Sequence, residues 1–229
     1  TGTGNVAVGA ETLESCTTSP YNTAVGFQAG DSVTTGSGHN TILGYFAATD
    51  LTTGPFNTAL GASSFRKETT GQYNTAVGYS ALENQSGGAS NNTAVGFKAY
   101  EGVEGSTTGA DNTAVGAYAL QVNTTGTRLT AVGIGALDAN TTASNNTAFG
   151  AYALTSNTTA ASNTAVGSSA LESSTTGAGN TAVGRAALLV NSTGYNNVSV
   201  GAFALDANTT GVENTAVGEG ALSTNTTGN

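Results

Sequence analysis

A Gly-x-Gly motif near the end of the chain is the first place where the sequence could do chemistry. The stretch NTAVGEGAL, Asn214–Leu222, puts Gly218 and Gly220 just after an apolar run. A strand followed by such a motif can open a phosphate-binding loop, in which backbone N–H groups hold the anion. A second Gly-x-Gly, Gly133-Ile134-Gly135, follows the same kind of run. The motif therefore indicates either a phosphate site or one position of a repeated unit.

Carboxylates are the next candidates, because an acidic residue often follows an Ala-Leu pair. The members of this acidic column are Glu14, Asp31, Glu83, Glu101, Asp138, Glu172 and Asp206. On neighbouring strands such carboxylates would lie about 5 Å apart, as in a retaining glycosidase. Stacking alone produces that distance, so we favour a solvated acidic edge that keeps the protein soluble. Adventitious Ca²⁺ binding is the alternative.

Other catalytic arrangements are excluded within one chain. His39 is the single histidine and Cys16 the single cysteine, so neither a Ser-His-Asp triad nor a His/Cys zinc site can be assembled. We therefore predict no enzyme, no catalytic residue, no metal site and no cofactor. The net charge is −9 with five basic residues, which argues against nucleic acid as a partner and against membrane contact by this segment.

The chain consists of thirteen copies of one unit, each marked by a Gly after an apolar pair. The marker glycines are Gly9, Gly26, Gly44, Gly61, Gly78, Gly96, Gly116, Gly133, Gly150, Gly167, Gly184, Gly201 and Gly218. Nine of their twelve spacings are 17 residues, two are 18 and one is 20. Such a period is typical of solenoids. The sequence predicts a single repeat domain over residues 1–229, cut from a longer fibre protein.

The columns of the unit N-T-A-V-G-x-x-A-L-x-x-N-T-T-G-x-x predict its local structure. Its Gly, Asn and Thr would each cost a helix about 0.5–1 kcal/mol relative to Ala, so Thr-Ala-Val is interpreted as a strand with Thr and Val on one face. We expect the column of Val, Leu or Phe before the marker Gly to be buried. Ala-Leu is predicted to begin a second strand, and Asn-Thr-Thr-Gly to turn the chain back. The result is an all-β, parallel β-solenoid or β-roll of about thirteen 17-residue coils.

Asparagine stands four residues before every marker Gly except in the eighth copy, where Leu129 replaces it. Stacked coils would align these side chains into a ladder of hydrogen bonds. Leu129 should interrupt the ladder and can mark a local bend.

The aromatic residues concentrate in the N-terminal half and form two partial ribbons. One ribbon, Tyr21, His39, Phe56 and Tyr73, lies directly before the asparagine column, and the other, Phe27, Tyr45, Tyr79 and Phe97, lies directly after the marker Gly. The candidate ligand-binding residues are Tyr21, Phe27, Tyr45, Phe56, Tyr73, Tyr79, Phe97 and Tyr100. Aromatic faces suit sugar stacking or protein contact, and filling an interface between chains is the alternative. The segment Ala99–Ser106 holds three extra residues, so we expect a loop that either presents Tyr100, Glu101 and Glu104 to a ligand or is a neutral bulge.

The repeat resembles known proteins at the strand-turn motif Thr23-Ala24-Val25-Gly26 and its copies. It is similar to the head repeats of YadA-like trimeric autotransporter adhesins, and to the N-T-A-V-G-x-x-A-L repeats of trimeric bacterial surface fibres and phage tail fibres. The resemblance implies a left-handed parallel β-roll, three chains side by side, and an extracellular place on the bacterial surface or a phage virion fibre. The YadA-type head unit is shorter than 17 residues.

The sequence thus predicts the head or shaft of a homotrimeric fibre that attaches to a surface glycan or protein. Each coil offers about one Val and one Leu to its core, worth roughly 1.5–3 kcal/mol each when buried, and packing against other chains would compensate for so thin a core. A receptor-binding phage tail fibre or tailspike is one alternative. An ice-binding solenoid is another, because stacked coils align threonines.

Overall fold

The computed structural model describes residues 2–36 and 38–229, and within them every regular element is a short β-strand. The strands are β1 Val6–Val8, β2 Thr23–Val25, β3 Thr41–Leu43, β4 Thr58–Leu60, β5 Thr75–Val77, β6 Thr93–Val95, β7 Thr113–Val115, β8 Thr130–Val132, β9 Thr147–Phe149, β10 Thr164–Val166, β11 Thr181–Val183, β12 Val198–Val200 and β13 Thr215–Val217. One strand per 17-residue coil confirms the all-β parallel β-solenoid.

The chain divides into two compact units, Thr1–Asn112 with β1 to β6 and Thr113–Asn229 with β7 to β13. In each unit every strand pairs in parallel with the next, and equivalent residues lie opposite one another. Both units consist of coils formed by the same repeat. That the two units form a single domain stays a prediction. Among the described residues, no helix has the length and apolar character to cross a membrane.

The face of the strand that points into the coil is the opposite of the one we predicted. The central residue of the strand is buried, as in Ala76 and Ala165, whereas the residues before the marker Gly are half-buried or exposed, as in Val77 and Phe149. The prediction of a buried Val column is therefore wrong. The reason lies two residues before the Ala, where the Asn column points inward and fixes which side of the alternating strand faces the core.

The interior of each coil is narrow and is filled by small residues and one leucine. The two Ala columns and the Leu column are buried throughout the middle of both units, as in Ala81 with Leu82 and Ala170 with Leu171. The predicted second strand at Ala-Leu is absent from the described residues. The leucine there has a positive φ, 53° at Leu82, and a left-handed residue turns the chain instead of extending it.

The buried asparagines form the predicted ladder. The backbone N–H of Asn57 donates to Oδ1 of Asn40 at 2.8 Å, and that of Asn74 to Oδ1 of Asn57 at 2.9 Å. The same bond joins Asn180 to Asn163 at 2.8 Å in the second unit. The ladder satisfies the inward-pointing amides of successive coils, which would otherwise cost free energy.

Leu129 occupies the asparagine position of its coil and is buried. Its neighbouring strands keep the common register, with Thr113 opposite Thr130 and Thr130 opposite Thr147. The missing amide thus leaves the strand alignment of the coil unchanged.

The marker glycine is required by the stacking of the coils. Its φ is 133° at Gly26 and 133° at Gly78, a conformation that side chains rarely tolerate. A Cβ on Gly26 would collide with the carbonyl oxygen of Gly44, and one on Gly78 with that of Gly96. Close approach of backbones from successive coils explains why no other residue stands in this column.

Candidate functional site

The outer face of the strands carries two parallel columns, one of threonine and one of Val, Leu or Phe. Exposure in the second column reaches 45% at Leu43 and 56% at Phe149, and Val95 is also exposed. Within each unit, an exposed apolar column that repeats in successive coils is an unusual surface for a monomer. Because the valine column was predicted to be buried, this exposed surface was not expected from the sequence.

The strand threonines leave their hydroxyls unused. Among the described residues, none of these hydroxyls, such as that of Thr75 or Thr164, forms a hydrogen bond within the chain. In contrast, the first threonine of several turns bonds to the next coil through its hydroxyl, as Thr124 and Thr209 do. Thr52 Oγ1 donates to the Thr69 carbonyl at 2.8 Å, for example. Hydroxyls of the strand column are therefore available to water or to another molecule.

Two residues before the strands lies the pre-strand ribbon, formed by Tyr21, His39, Phe56 and Tyr73. Ring centroids of successive members are 5.2, 5.1 and 5.3 Å apart, and the Phe56 and Tyr73 rings are nearly parallel, at 2°. All four residues are exposed. The predicted ribbon is thus confirmed as a stack, with one ring per coil.

The stacking changes what the pre-strand ribbon offers. Our sugar-stacking interpretation relied on open ring faces, but Phe56 faces His39 on one side and Tyr73 on the other. Faces inside the stack are covered, and the ring edges point outward. Edges carry the positive part of the aromatic quadrupole, so they attract electronegative atoms such as oxygen.

Directly after the marker glycines lies the post-strand ribbon, formed by Phe27, Tyr45, Tyr79 and Phe97. It consists of two separate pairs: the centroids of Phe27 and Tyr45 are 5.6 Å apart, and those of Tyr79 and Phe97 are 5.5 Å apart. Ala62 separates them in the column. These rings adjoin the exposed apolar column and extend its surface, which favours the interface interpretation.

The eighth candidate, Tyr100, is not at the surface. Its side chain is completely buried, and its hydroxyl donates to the Gly109 carbonyl at 3.0 Å and accepts from Asn112 Nδ2 at 3.2 Å. The interpretation of Tyr100 as a ligand contact is therefore wrong. Tyr100 stands four residues after Gly96, at the interior position that leucine occupies elsewhere.

The extra residues after Tyr100 form a loop that the chain itself holds. Glu104 pairs with Lys67, two coils earlier, and Thr107 Oγ1 donates to the Val103 carbonyl at 3.0 Å. The hydrogen bond from Lys67 holds the pKa of Glu104 below its ordinary value. The acidic group expected to contact a ligand is thus engaged within the chain.

Neighbouring carboxylates of the acidic column are also paired with cations. Arg66 Nη2 lies 2.8 Å from Glu83 Oε1, and Lys98 Nζ lies 2.9 Å from Glu101 Oε1. The bond to Glu101 raises the pKa of Lys98. Such engagement does not support a glycosidase pair at Glu83 and Glu101, and no cluster of three His, Cys, Asp or Glu residues that could hold a metal occurs in the part of the chain described.

The Gly-x-Gly motif has no free phosphate cradle. The N–H of Gly218 donates to the Val200 carbonyl at 2.7 Å, and that of Gly220 donates to the Ala202 carbonyl at 2.9 Å. Both groups belong to the coil-to-coil ladder. The repeat interpretation therefore replaces the phosphate-loop one.

A buried carboxylate escaped the sequence interpretation. Glu68 is fully buried; its Oε1 accepts the backbone N–H groups of Thr69, Thr70 and Gly71 at 2.8 to 2.9 Å, and its Oε2 accepts that of Ala89 at 3.1 Å. Its position in the repeat could have predicted this burial. Glu68 lies seven residues after its marker Gly, where later copies have an inward-pointing asparagine.

The next coil places Gln85 in the same column, equally buried. Neither Oε1 nor Nε2 of Gln85 has a hydrogen-bond partner among the described residues. A buried amide without partners is destabilising.

Comparison with known proteins adds no relative: no family model matches the chain, and neither a curated protein nor a solved structure does.

Proposed function

We propose that this chain is a structural and adhesive segment, head or shaft, of a homotrimeric fibre, outside the cell on a bacterial surface or on a phage virion. The exposed apolar column on the outer strand face carries the proposal. That column repeats once per coil, so one chain-to-chain contact would be repeated along the solenoid. A left-handed roll with three chains side by side completes the proposal, which the resemblance to trimeric surface fibres also supports.

The energetics favour an assembly over an isolated chain. Burial of apolar surface contributes about 25 cal/mol per Å², and the interior of each coil holds chiefly alanine and one leucine. Burying the outer column between chains would add a second apolar core. Cyclic symmetry presents the same column of each chain to its neighbour.

The test is the mass of the assembly in solution, measured by light scattering at micromolar concentration. We expect a trimer for the native chain and for a control with Thr35→Asp and Thr53→Asp at exposed turns. The double variant Leu43→Asp and Val95→Asp places charges on the outer column and should give a smaller species. A monomeric native chain, or a trimeric double variant, would overturn this assembly.

Attachment is tested separately from assembly. Fluorescently labelled protein should bind to surfaces of target cells, and the binding should survive the Thr35→Asp and Thr53→Asp control. Absence of attachment to bacterial and eukaryotic cell surfaces, with the trimer intact, would leave a passive shaft and remove the adhesive part of the proposal.

A second candidate function, ice binding, is favoured by the unused hydroxyls of the strand threonines. The threonine and valine columns form a regular array with about 4.8 Å between coils along the solenoid, and such an array can order water. It requires the same face that a trimer would bury. Thermal hysteresis from a monomeric chain, lost on Thr75→Lys and Thr93→Lys, would establish ice binding and displace the fibre proposal, while its absence would remove this candidate.

A further inference from the structure

We propose that the pre-strand ribbon of Tyr21, His39, Phe56 and Tyr73 binds a neutral glycan chain. This inference rests on the proposed adhesive function and specifies where and what the segment binds. The pre-strand ribbon lies at the N-terminal end of the strands. The post-strand ribbon lies at their C-terminal end, next to the apolar column. The two ribbons can therefore have different roles: the post-strand ribbon between chains, and the pre-strand ribbon toward the ligand.

The pre-strand ribbon lies among uncharged residues. The chain has a net charge of −9, yet the ribbon residues and the residues that precede them, Pro20, Gly38, Pro55 and Gln72, include no Asp, Glu, Lys or Arg. An anionic polymer would find no cation there to neutralise it, and a cationic ligand would find no carboxylate. A neutral ligand avoids both desolvation costs.

The ribbon residues have a backbone conformation that disfavours bulky side chains. The four residues have φ values of 57, 68, 59 and 59°, in the left-handed region that disfavours bulky side chains. The same column in the second unit holds no aromatic residue: its members are Arg128, Asn145, Ser162, Gly179, Asn196 and Glu213. Its Asn and Gly residues adopt the left-handed conformation more readily than a bulky side chain does. The fold therefore does not need aromatic rings in this column, and a run of aromatic residues in successive coils of the first unit indicates a role outside the fold.

The exposed rings of the ribbon are regularly spaced. The rings hold one another at a spacing of one per coil, so little side-chain entropy remains to be lost on binding. Their outward edges carry partial positive charge, and in the described structure the hydroxyls of Tyr21 and Tyr73 form no hydrogen bond within the chain. An extended polysaccharide presents oxygen atoms at a similar repeat, so it can meet several rings at once.

The test uses cello-oligosaccharides and a galactomannan as neutral probes, with polygalacturonate as the acidic counterpart, in isothermal titration calorimetry. The variant Tyr21→Asn, Phe56→Asn, Tyr73→Asn introduces asparagine, which this column already holds in the second unit. The matched control is Asn145→Ala with Asn196→Ala, in the same column without a ring.

We expect the native chain and the control to bind at least one neutral probe, and the triple variant to bind it about tenfold more weakly or less. Circular dichroism and light scattering should show that the variant keeps its fold and its assembly state. Equal binding by the variant, binding to polygalacturonate alone, or no binding to either neutral probe would overturn the inference.

Periodate or protease treatment of the target cells distinguishes a glycan receptor from a protein receptor. Periodate oxidation of the cell surface should abolish ribbon-dependent attachment, and protease treatment should leave it unchanged; the opposite pattern would replace the glycan by a protein and overturn the inference. A monomeric chain that still binds the glycan through the ribbon would instead refute only the proposed trimer.

Discussion

The two units use the same interior column in different ways. In the second unit, the residue seven positions after the marker Gly is asparagine in six of seven coils, and these amides bond to one another, as Asn140 Nδ2 does to Asn123 Oδ1 at 2.8 Å. In the first unit the corresponding buried positions of five successive coils are filled by Val33, Leu51, Glu68, Gln85 and Thr107.

The difference shows which parts of the coil are fixed by stacking and which are free to vary. Both units keep the marker Gly, the strand register and the first asparagine ladder. Only the first unit contains the salt bridges found in the described residues, the stacked aromatic ribbons and the extra residues after Tyr100. The second unit is the more regular scaffold, and the first carries the features that could recognise a partner.

The largest expected effect is at Glu68. The Glu68→Leu variant copies Leu51 from the preceding coil but removes the acceptor of five backbone N–H groups. We expect a loss of about 3–5 kcal/mol in the free energy of unfolding, measured by chemical denaturation. Glu68→Gln keeps an acceptor oxygen and should lose less. If Glu68→Leu is neutral, the first unit does not depend on this carboxylate.

The asparagine ladder should matter in both units to a similar extent. Asn180 Oδ1 accepts the N–H of Asn197 at 2.9 Å, and its Nδ2 donates to the Gly194 carbonyl at 2.9 Å. We expect Asn180→Ala to cost about 2–3 kcal/mol, and Asn57→Ala in the first unit to cost the same. A cost confined to one unit, seen in denaturation curves, would show that the ladders are not equivalent.

At Gln85 we expect a substitution to increase the free energy of unfolding. Because both polar atoms of this buried side chain lack partners in the described part of the chain, Gln85→Leu should stabilise the protein by about 1–2 kcal/mol. The control Asn140→Leu places the same residue in the same column of the second unit, where it breaks a satisfied ladder. It should destabilise the protein, and the opposite signs can be compared in thermal denaturation.

Two tyrosines of the first unit should respond differently to substitution. Tyr100→Phe removes a buried hydroxyl with two hydrogen bonds and should cost about 1 kcal/mol. Tyr73→Asn loses one ring contact but replaces a tyrosine in the left-handed backbone region with a residue that adopts this conformation more readily. The two effects oppose each other, so the melting temperature should change little. A large destabilisation by Tyr73→Asn would show that the pre-strand ribbon supports the fold and has no separate binding role.

The smallest expected effect is a pH dependence of opposite sign in the two units. Glu104 in the first unit has a lowered pKa, because Lys67 bonds to its carboxylate, so its contribution is present at neutral pH and is lost as the pH falls through that lowered value. Burial raises the pKa of Asp138 in the second unit, so its contribution is present at low pH and is lost as the pH rises through the raised value.

Melting temperatures between about pH 3 and pH 7 check this prediction. Lys67→Ala should remove part of the acid lability, and Asp138→Asn should raise the melting temperature slightly at neutral pH alone. Identical pH profiles for the native chain and both variants would contradict it.

The sequence was sufficient to predict the solenoid, its period, the buried leucines and the asparagine ladder, because each depends on a column that stacking must align. It was insufficient for the side of the strand that faces inward. Alternation puts Thr and Val together but does not say whether their face is inside, and hydrophobicity alone suggested Val. The Asn column settles the question only when its side chains are known to point into the coil.

The candidate site was predicted as two aromatic ribbons; the structure has the pre-strand ribbon as one stack and the post-strand ribbon as two separate pairs. Their roles could not be separated without the orientation of the rings and the positive φ of the pre-strand column. The error at Tyr100 has a similar origin. Extra residues after it suggested a surface loop, but the loop begins beyond Tyr100, which remains at the leucine position of its coil.

The parallel register also bears on how the protein folds. Most hydrogen bonds between coils join residues 16 to 18 positions apart, such as Asn57 with Asn40 and Asn40 with Asn22. Closing a loop of that length costs the same modest entropy at every step. Once two coils have stacked, each new coil can add to a finished template. Within each unit, folding can therefore advance from one nucleus by repeated addition, at a rate that depends little on the number of coils still to come.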